Sequence, residues 1–284
     1  MAFLFYSKIQ GIIMISFPNA KINLGLNILS KRPDGYHNLS SCFYPVEWKD
    51  ILEIIPSHKQ HFTSSGIAIP GANKNNLCIK AYDLLYDNHQ IPPVHIHLHK
   101  VIPIGAGLGG GSSDAAFTLK MLNNIFNLKI PIRLLEEYAA ELGSDCPFFI
   151  QNKPVLVSGT GTKFNLTSIN ISQRKIIIIH PNIHVSTKEA YAGIIPKNSS
   201  NSIKKILKTP LANWKSLLTN DFEKSIASSH PDITIIKKQF YDYGAVYASM
   251  SGSGSAVFGI FEKDFNLSLL NNLAKSHTVW HGIL

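Results

Sequence analysis

Cysteine is scarce in this chain. Cys42, Cys78 and Cys146 are an odd number with no C-x-x-C pair, which argues against a disulfide framework and a thiolate zinc site and for a reducing, cytoplasmic setting. Charge is sparse as well, at 16% of residues. The formal charge of +9 favours anionic partners, yet no block of five or six basic residues and no aromatic-lysine stripe occurs, so nucleic acid is not expected among them. No apolar run is long enough to span a bilayer, and no membrane partner is expected. The apolar opening of the chain is broken by Ser7, Lys8 and Gln10 and lacks both a basic cluster and a small-residue cleavage site, so it does not read as a signal peptide. Met14 is a second candidate start, because the patterned sequence begins near Pro18. Also absent is any Gly-Lys pair, which excludes a Walker-type phosphate loop.

What is present is an unusual density of glycine. Pro103 to Ala116 reads PIGAGLGGGSSDAA, with five glycines and two serines between an apolar run and a helical pattern. Glycine tolerates positive φ and presents no side chain, so successive N–H groups can converge on one anion. Ser112 and Ser113 add hydroxyls where a helix dipole begins, which makes bound phosphate the first expectation. Gly105, Gly107 and Gly110 also fit G-x-G-x-x-G, but a dinucleotide site needs a strand ending in an acid about 20 residues on. Lys129, Ile130 and Pro131 stand there instead. A tightly turned linker is the remaining alternative, disfavoured by the paired serines at a helix start.

The coarse pattern is mixed. Ile22 to Leu29 and Ile51 to Ile55 read as strands with a turn at Arg32 to Tyr36, and Val94 to His99 alternates as a half-buried strand. Its His95, His97 and His99 are either a metal set or the outer side of that strand. Ala115, Ala116, Leu119, Leu122 and Phe126 recur at helical spacing, and Pro131 opens a second helix that stops at Gly143. Four isoleucines within Lys175 to His180 form a buried strand, and Pro196 to Lys208 reads as a solvated connection. Asp145, in the turn Gly143 to Pro147, is a cap or a catalyst; the residues alone favour the cap. The Ser251 to Gly254 turn between two further strands is a second anion contact or an ordinary hairpin. A boundary within 155–170 divides the chain into expected domains 1–160 and 161–284.

Taken together, Pro18-Asn19-Ala20-Lys21-Ile22-Asn23-Leu24, the glycine loop and Ser251 to Ser255 resemble the three motifs of the GHMP kinases, over nearly the whole chain after residue 16. Arg32 to His37 (RPDGYH) and Gly143 to Phe149 (GSDCPFF) resemble the branch whose acceptor is a cytidine diphosphate-linked methylerythritol. The resemblance implies a two-domain α+β fold with the ATP site in a cleft between an N-terminal α/β domain and a C-terminal α+β domain. It implies ATP and Mg²⁺ as cofactors and transfer of the γ-phosphoryl group to a hydroxyl. Lys21 and Asp145 are then the catalytic pair. The nucleotide falls to Asn76, Lys100, Pro103, Gly105, Gly107, Leu108, Gly109, Gly110, Gly111, Ser112 and Ser113, with Ser112 also near the metal. The acceptor falls to Asn23, Tyr36, His37 and Thr187. Without the resemblance, Tyr36 reads as a packed turn aromatic and Lys100 as a solvated strand end. One departure is Gly159 to Thr162, where the family often carries a glycine-rich segment ending in Glu. The rival readings are a homoserine or mevalonate type of kinase from the same family and, from another class, a basic nucleic-acid-binding protein; the oligomeric state stays open.

Overall fold

The structure, a computed structural model, describes residues 13–71, 73–197 and 202–284. Most of the apolar opening and the middle of the segment 196–208 lie outside the described residues. In chain order the strands are β1 (Met14–Ser16), β2 (Asn19–Lys31), β3 (His37–Lys49), β4 (Ile51–Pro56), β5 (His61–Gly66), β6 (Val94–Lys100), β7 (Val155–Ser158), β8 (Lys163–Leu166), β9 (Lys175–His180), β10 (Tyr247–Met250), β11 (Val257–Phe261) and β12 (Thr278–Ile283). The longer helices are α1 (Leu77–His89), α2 (Gly110–Ile125), α3 (Ile132–Leu142), α4 (Thr187–Ala192), α5 (Asp221–Ile226) and α6 (Pro231–Asp242). This is the mixed α+β content expected from the pattern. Among the described residues, no helix is long and apolar enough to cross a membrane.

Two compact units emerge, and they interleave along the chain. The first holds residues up to Ala20, Lys49–Ile104 and Gly109–Asn152; the second holds Lys21–Trp48, Gly105–Leu108 and Lys153–Leu284. Each unit thus takes a share of the glycine-rich segment.

In the first unit a four-stranded sheet runs in the order β1-β4-β6-β5, with β5 and β6 parallel and the other pairs antiparallel. The period of two in β6 sends Val94, Ile96 and Leu98 inward and leaves His95, His97 and His99 half-buried. On α2, Ala115, Ala116, Leu119 and Leu122 are fully buried, and the helix packs on α1 and β4. Each large apolar side chain so buried contributes about 1.5–3 kcal/mol.

The second unit has two sheets, β2-β3-β7-β8 and β10-β11-β9-β12, in which β3-β7, β7-β8 and every pair of the second sheet are antiparallel. β9 lies between β11 and β12, and its isoleucines Ile176 to Ile179 are all buried, as a central strand covered on both faces requires. Gly159 and Gly161, both at positive φ, make the turn between β7 and β8. The segment expected to be solvated carries a short helical turn, Ile203–Ile206, whose two isoleucines are buried. Apolar residues three apart found a core there that the surrounding lysines concealed.

Candidate active site

The glycine loop alternates its backbone. Gly105, Gly107 and Gly109 sit at φ of +67°, +78° and +69°, the left-handed region that L side chains rarely adopt. At Gly107 space forbids a side chain as well, since a Cβ would lie 2.0 Å from the Ser251 carbonyl oxygen. Gly109 then opens α2 with no side-chain cap, and the first turn holds no acid. Its leading N–H groups and the positive end of the dipole are the elements of an anion site. Pro103 and Leu108 are buried beside the loop and Gly111 is exposed. Ser112 is half-buried, whereas Ser113 is fully buried and its Oγ has no hydrogen-bond partner among the described residues.

Lys100 is not a solvated strand end. The alternation of β6 carries it onto the inner face, 3% exposed, where its Nζ donates to Asp50 Oδ2 at 2.5 Å and Asp114 Oδ2 at 2.8 Å. A Cβ on Gly110 would lie 2.9 Å from the same Nζ, so the ammonium lies directly against the start of α2. Asp50 also accepts from the N–H groups of Val101 and Ile102, at 2.6 and 2.8 Å, and thereby sets the strand's exit toward the glycine loop. Burial pushes the Asp114 carboxyl up to about 7, with Lys100 pulling it down and Asp50 pushing it further up. Burial opposes the Lys100 charge, but the two carboxylates outweigh it and raise its pKa.

Asn76, expected near the adenine, caps α1 by accepting from Cys78 N at 2.8 Å. Asp145 is half-buried in the turn before the short helix Phe148–Gln151, whose cap position is Pro147, so Asp145 is not that helix's cap. The neighbouring Cys146 thiol is pushed up to about 11 by burial, an effect the hydroxyl of Ser112 partly offsets by hydrogen bonding. The first unit therefore brings the start of α2 against the Asp145 turn. Cys146 itself stays a protonated thiol, as does Cys42, which burial raises to about 12.

The second unit assembles the other motifs. The Lys21 N–H donates to Leu108 O at 2.9 Å, pinning β2 to the glycine loop. Its side chain is 3% exposed, donates from Nζ to Asn23 Oδ1 at 2.6 Å and lies 4.5 Å from the Phe43 ring centre. Asn23, expected to touch the acceptor, is buried with both ends of its amide engaged, because its Nδ2 donates to Ser41 Oγ at 2.9 Å. Ser251 Oγ donates to Gly107 O at 2.8 Å, so the Ser251 to Gly254 turn is a hairpin connection that also buttresses the loop.

Acceptor-side residues lie at the β2–β3 turn and on α4. Arg32 and Asp34 pair at 2.7 Å and Asp34 accepts from Tyr36 N at 3.1 Å, which turns Tyr36 outward at 68% exposure. His37 instead meets Tyr191, ring centres 4.9 Å apart. Thr187 is exposed at the first position of α4, and Tyr191 lies four residues on along the same helix face. Sequence reasoning missed Tyr191, Asp50, Asp114 and Asn220. Only Asn220 carried a local signal, an Asn followed three residues later by Glu ahead of a helix.

The three histidines of β6 are taken up by hydroxyls of β5. Thr63 Oγ1 lies 2.8 Å from both His95 Nε2 and His97 Nδ1, and Ser65 Oγ lies 3.0 Å from His97 Nε2 and 2.9 Å from His99 Nδ1. Among the described residues no group of three or more His, Cys, Asp or Glu could hold a metal ion. A divalent ion here would therefore take most of its ligands from phosphate and water, the habit of Mg²⁺, and the half-buried Ser112 hydroxyl fits as a protein oxygen for it.

Comparison with known proteins shows the family. The GHMP kinases N terminal domain matches residues 76–153 and the GHMP kinases C terminal domain matches 202–272. The chain is 57% identical over 249 residues to the 4-diphosphocytidyl-2-C-methyl-D-erythritol kinase of Cytophaga hutchinsonii, covering 87% of this chain and 92% of that protein. To the protein of the same name from Parabacteroides distasonis it is 50% identical, over 95% of this chain and 100% of the relative. A crystal structure of 4-(cytidine 5'-diphospho)-2C-methyl-D-erythritol kinase superposes with a TM-score of 0.84 at 29% identity, covering 95% and 98% of the two chains. With the motifs joined in space as described and relatives this similar over most of its length, the chain belongs to the GHMP kinase family and, within it, to the 4-diphosphocytidyl-2-C-methyl-D-erythritol kinases.

Proposed function

We propose that this protein transfers the γ-phosphoryl group of ATP to the 2-hydroxyl of 4-diphosphocytidyl-2-C-methyl-D-erythritol, giving the 2-phosphate and ADP on the non-mevalonate route to isoprenoid precursors. The family membership and the names of the relatives support the reaction. One observation supports the site: Lys21 is fixed at both ends, its N–H on Leu108 of the glycine loop and its ammonium on Asn23.

Phosphoryl transfer has a loose transition state, so positioning and charge stabilisation dominate. The backbone of Gly105 to Gly111 cradles the triphosphate, and the uncapped start of α2 adds its dipole. Lys21 stabilises charge on the transferring group. Asp145 accepts or orients the acceptor hydroxyl proton. Ser112 would offer a protein oxygen to Mg²⁺ carried with ATP, and the ion would supply neutralisation of phosphate charge. Lys100, buried between two carboxylates, contributes by holding the base of the loop. Tyr36, His37 and Thr187 bind the acceptor, and the rings suit a cytosine. As family domains, distinct from the interleaved compact units, the chain divides near residue 160, between the matches at 76–153 and 202–272.

The test is ADP release measured with the cytidyl substrate, homoserine and mevalonate in parallel. Turnover should be confined to the cytidyl acceptor. Faster turnover of either alternative would assign the chain to another GHMP kinase reaction.

A further inference from the structure

We propose that Asn220 is a positioning residue for phosphoryl transfer: it grips the Ser251 to Gly254 turn, which sets Gly107 of the glycine loop and Asn23 beside Lys21. The inference rests on the reading of Lys21 and the loop under the proposed function. All of its residues lie in the second unit.

Asn220 is 2% exposed at the start of α5, and its amide is fully used. Oδ1 accepts from Phe222 N at 3.0 Å and caps the helix. Nδ2 donates to Met250 O at 2.9 Å and to Gly252 O at 2.8 Å. Those two carbonyls bracket Ser251, so a single amide holds both sides of that residue. One turn later Glu223 accepts from Met250 N at 2.8 Å and from Ser249 Oγ at 2.9 Å. Met250 is thus held at its N–H and its carbonyl by one turn of helix.

The gripped turn has no slack toward the loop. Ser251 Oγ donates to Gly107 O at 2.8 Å and stands 3.5 Å from Asn23 Oδ1. A Cβ on Gly252 would lie 3.3 Å from the Gly107 Cα and 3.4 Å from Asn23 Oδ1. Moving the turn toward the loop by an ångström therefore displaces Gly107 or Asn23, and Asn23 holds the Lys21 ammonium at 2.6 Å. Errors of that size at a reacting centre cost about a hundredfold in rate. Only asparagine suits the position, since serine keeps a cap but lacks the paired donor, and aspartate would face two carbonyls with a carboxylate.

The experiment measures kcat, both KM values and the melting temperature for N220S, S251A and the double variant of the full chain, each as a ratio to the wild type with whichever acceptor the wild type turns over. N220S keeps the helix cap, so kcat should fall about tenfold while the acceptor KM stays within about twofold. The double variant should be no worse than about twofold below the lower single, because both act through one turn. Y241F is the control: its hydroxyl bonds Ala248 on β10, and its loss should lower the melting temperature with kcat within about twofold of wild type. Multiplying effects in the double variant, or N220S with a lowered melting temperature and wild-type kcat, would reduce Asn220 to a stabilising residue and overturn the proposal. If N220S does not fold, S251A decides alone, and wild-type kcat in folded S251A overturns it. The wild type's own choice of acceptor reports separately on the kinase reading.

Discussion

Two helix starts in this protein are built in opposite ways. α2 begins at a left-handed glycine with no capping side chain and no acid in its first turn. α5 begins at Asn220, capped by its own amide, with Asp221 and Glu223 directly behind. Both acids of α5 are turned to the protein's backbone, Asp221 accepting from Ile28 N at 2.8 Å and Glu223 from Met250 N. The bare start has its donors available to an outside anion; the dressed one holds β2 and the Ser251 turn in place. A missing cap thus marks where a ligand is to complete the helix, and a full one marks where the fold must be rigid.

If chemistry belongs to the bare side, the largest effect should come from Asp145, in the turn packed against it. Asp145→Asn should slow single-turnover phosphoryl transfer about a thousandfold with little change in ATP binding. Transfer within a few-fold of wild type would remove Asp145 from catalysis. Next comes Gly107→Ala, which forces a Cβ toward the Ser251 carbonyl at a φ of +78°. It should lower kcat/KM for ATP about a hundredfold through strain of a few kcal/mol in the loop.

Ser112→Asp would dress the bare start in the manner of α5. The new acid complements the helix dipole, so the melting temperature should hold or rise slightly, while the KM for ATP rises about tenfold by repulsion of phosphate. An unchanged KM would move the phosphate site away from α2.

The smallest effect is one of pH. Asp114 is raised to about 7 in the folded state from an unfolded value of 3.8, so the folded protein binds that proton more tightly. The stabilisation is complete below the unfolded value and disappears as pH rises through 7. Melting temperature should therefore fall between about pH 4 and 7 and level off above that, and Asp114→Asn should flatten the slope. An equal slope in the variant would assign it to other groups.

Much of this was legible before any coordinates. The alternation of β6, the apolar period of α2 and the isoleucine run of β9 each state a local preference strong enough to survive folding. β3 was not legible, because Ser40, Ser41, Pro45 and Glu47 interrupt its alternation and the strand is held by β2 and β7 on either side. Lys100 misled for a related reason. The period of β6 already pointed it inward, but a lysine at a strand end reads as solvated until Asp50 and Asp114 are known to meet it. Asn23 belongs to a recognisable motif, yet the sequence does not reveal that its amide faces protein on both ends.

By itself the sequence determined which segments can turn tightly, where a helix starts bare, and that anions are the natural partners of the chain; these depend on glycine, on capping residues and on net charge, all local or summed properties. Only the tertiary structure decided that Lys21, Gly107, Asn220 and Ser251 form one hydrogen-bonded assembly, and that Lys100 supports the loop from within the core. Hydrogen bonds act over about 3 Å, and no spacing along the chain can bring residues 21, 107 and 251 within that reach of one another. That is done by the pairing of strands and the packing of helices between them.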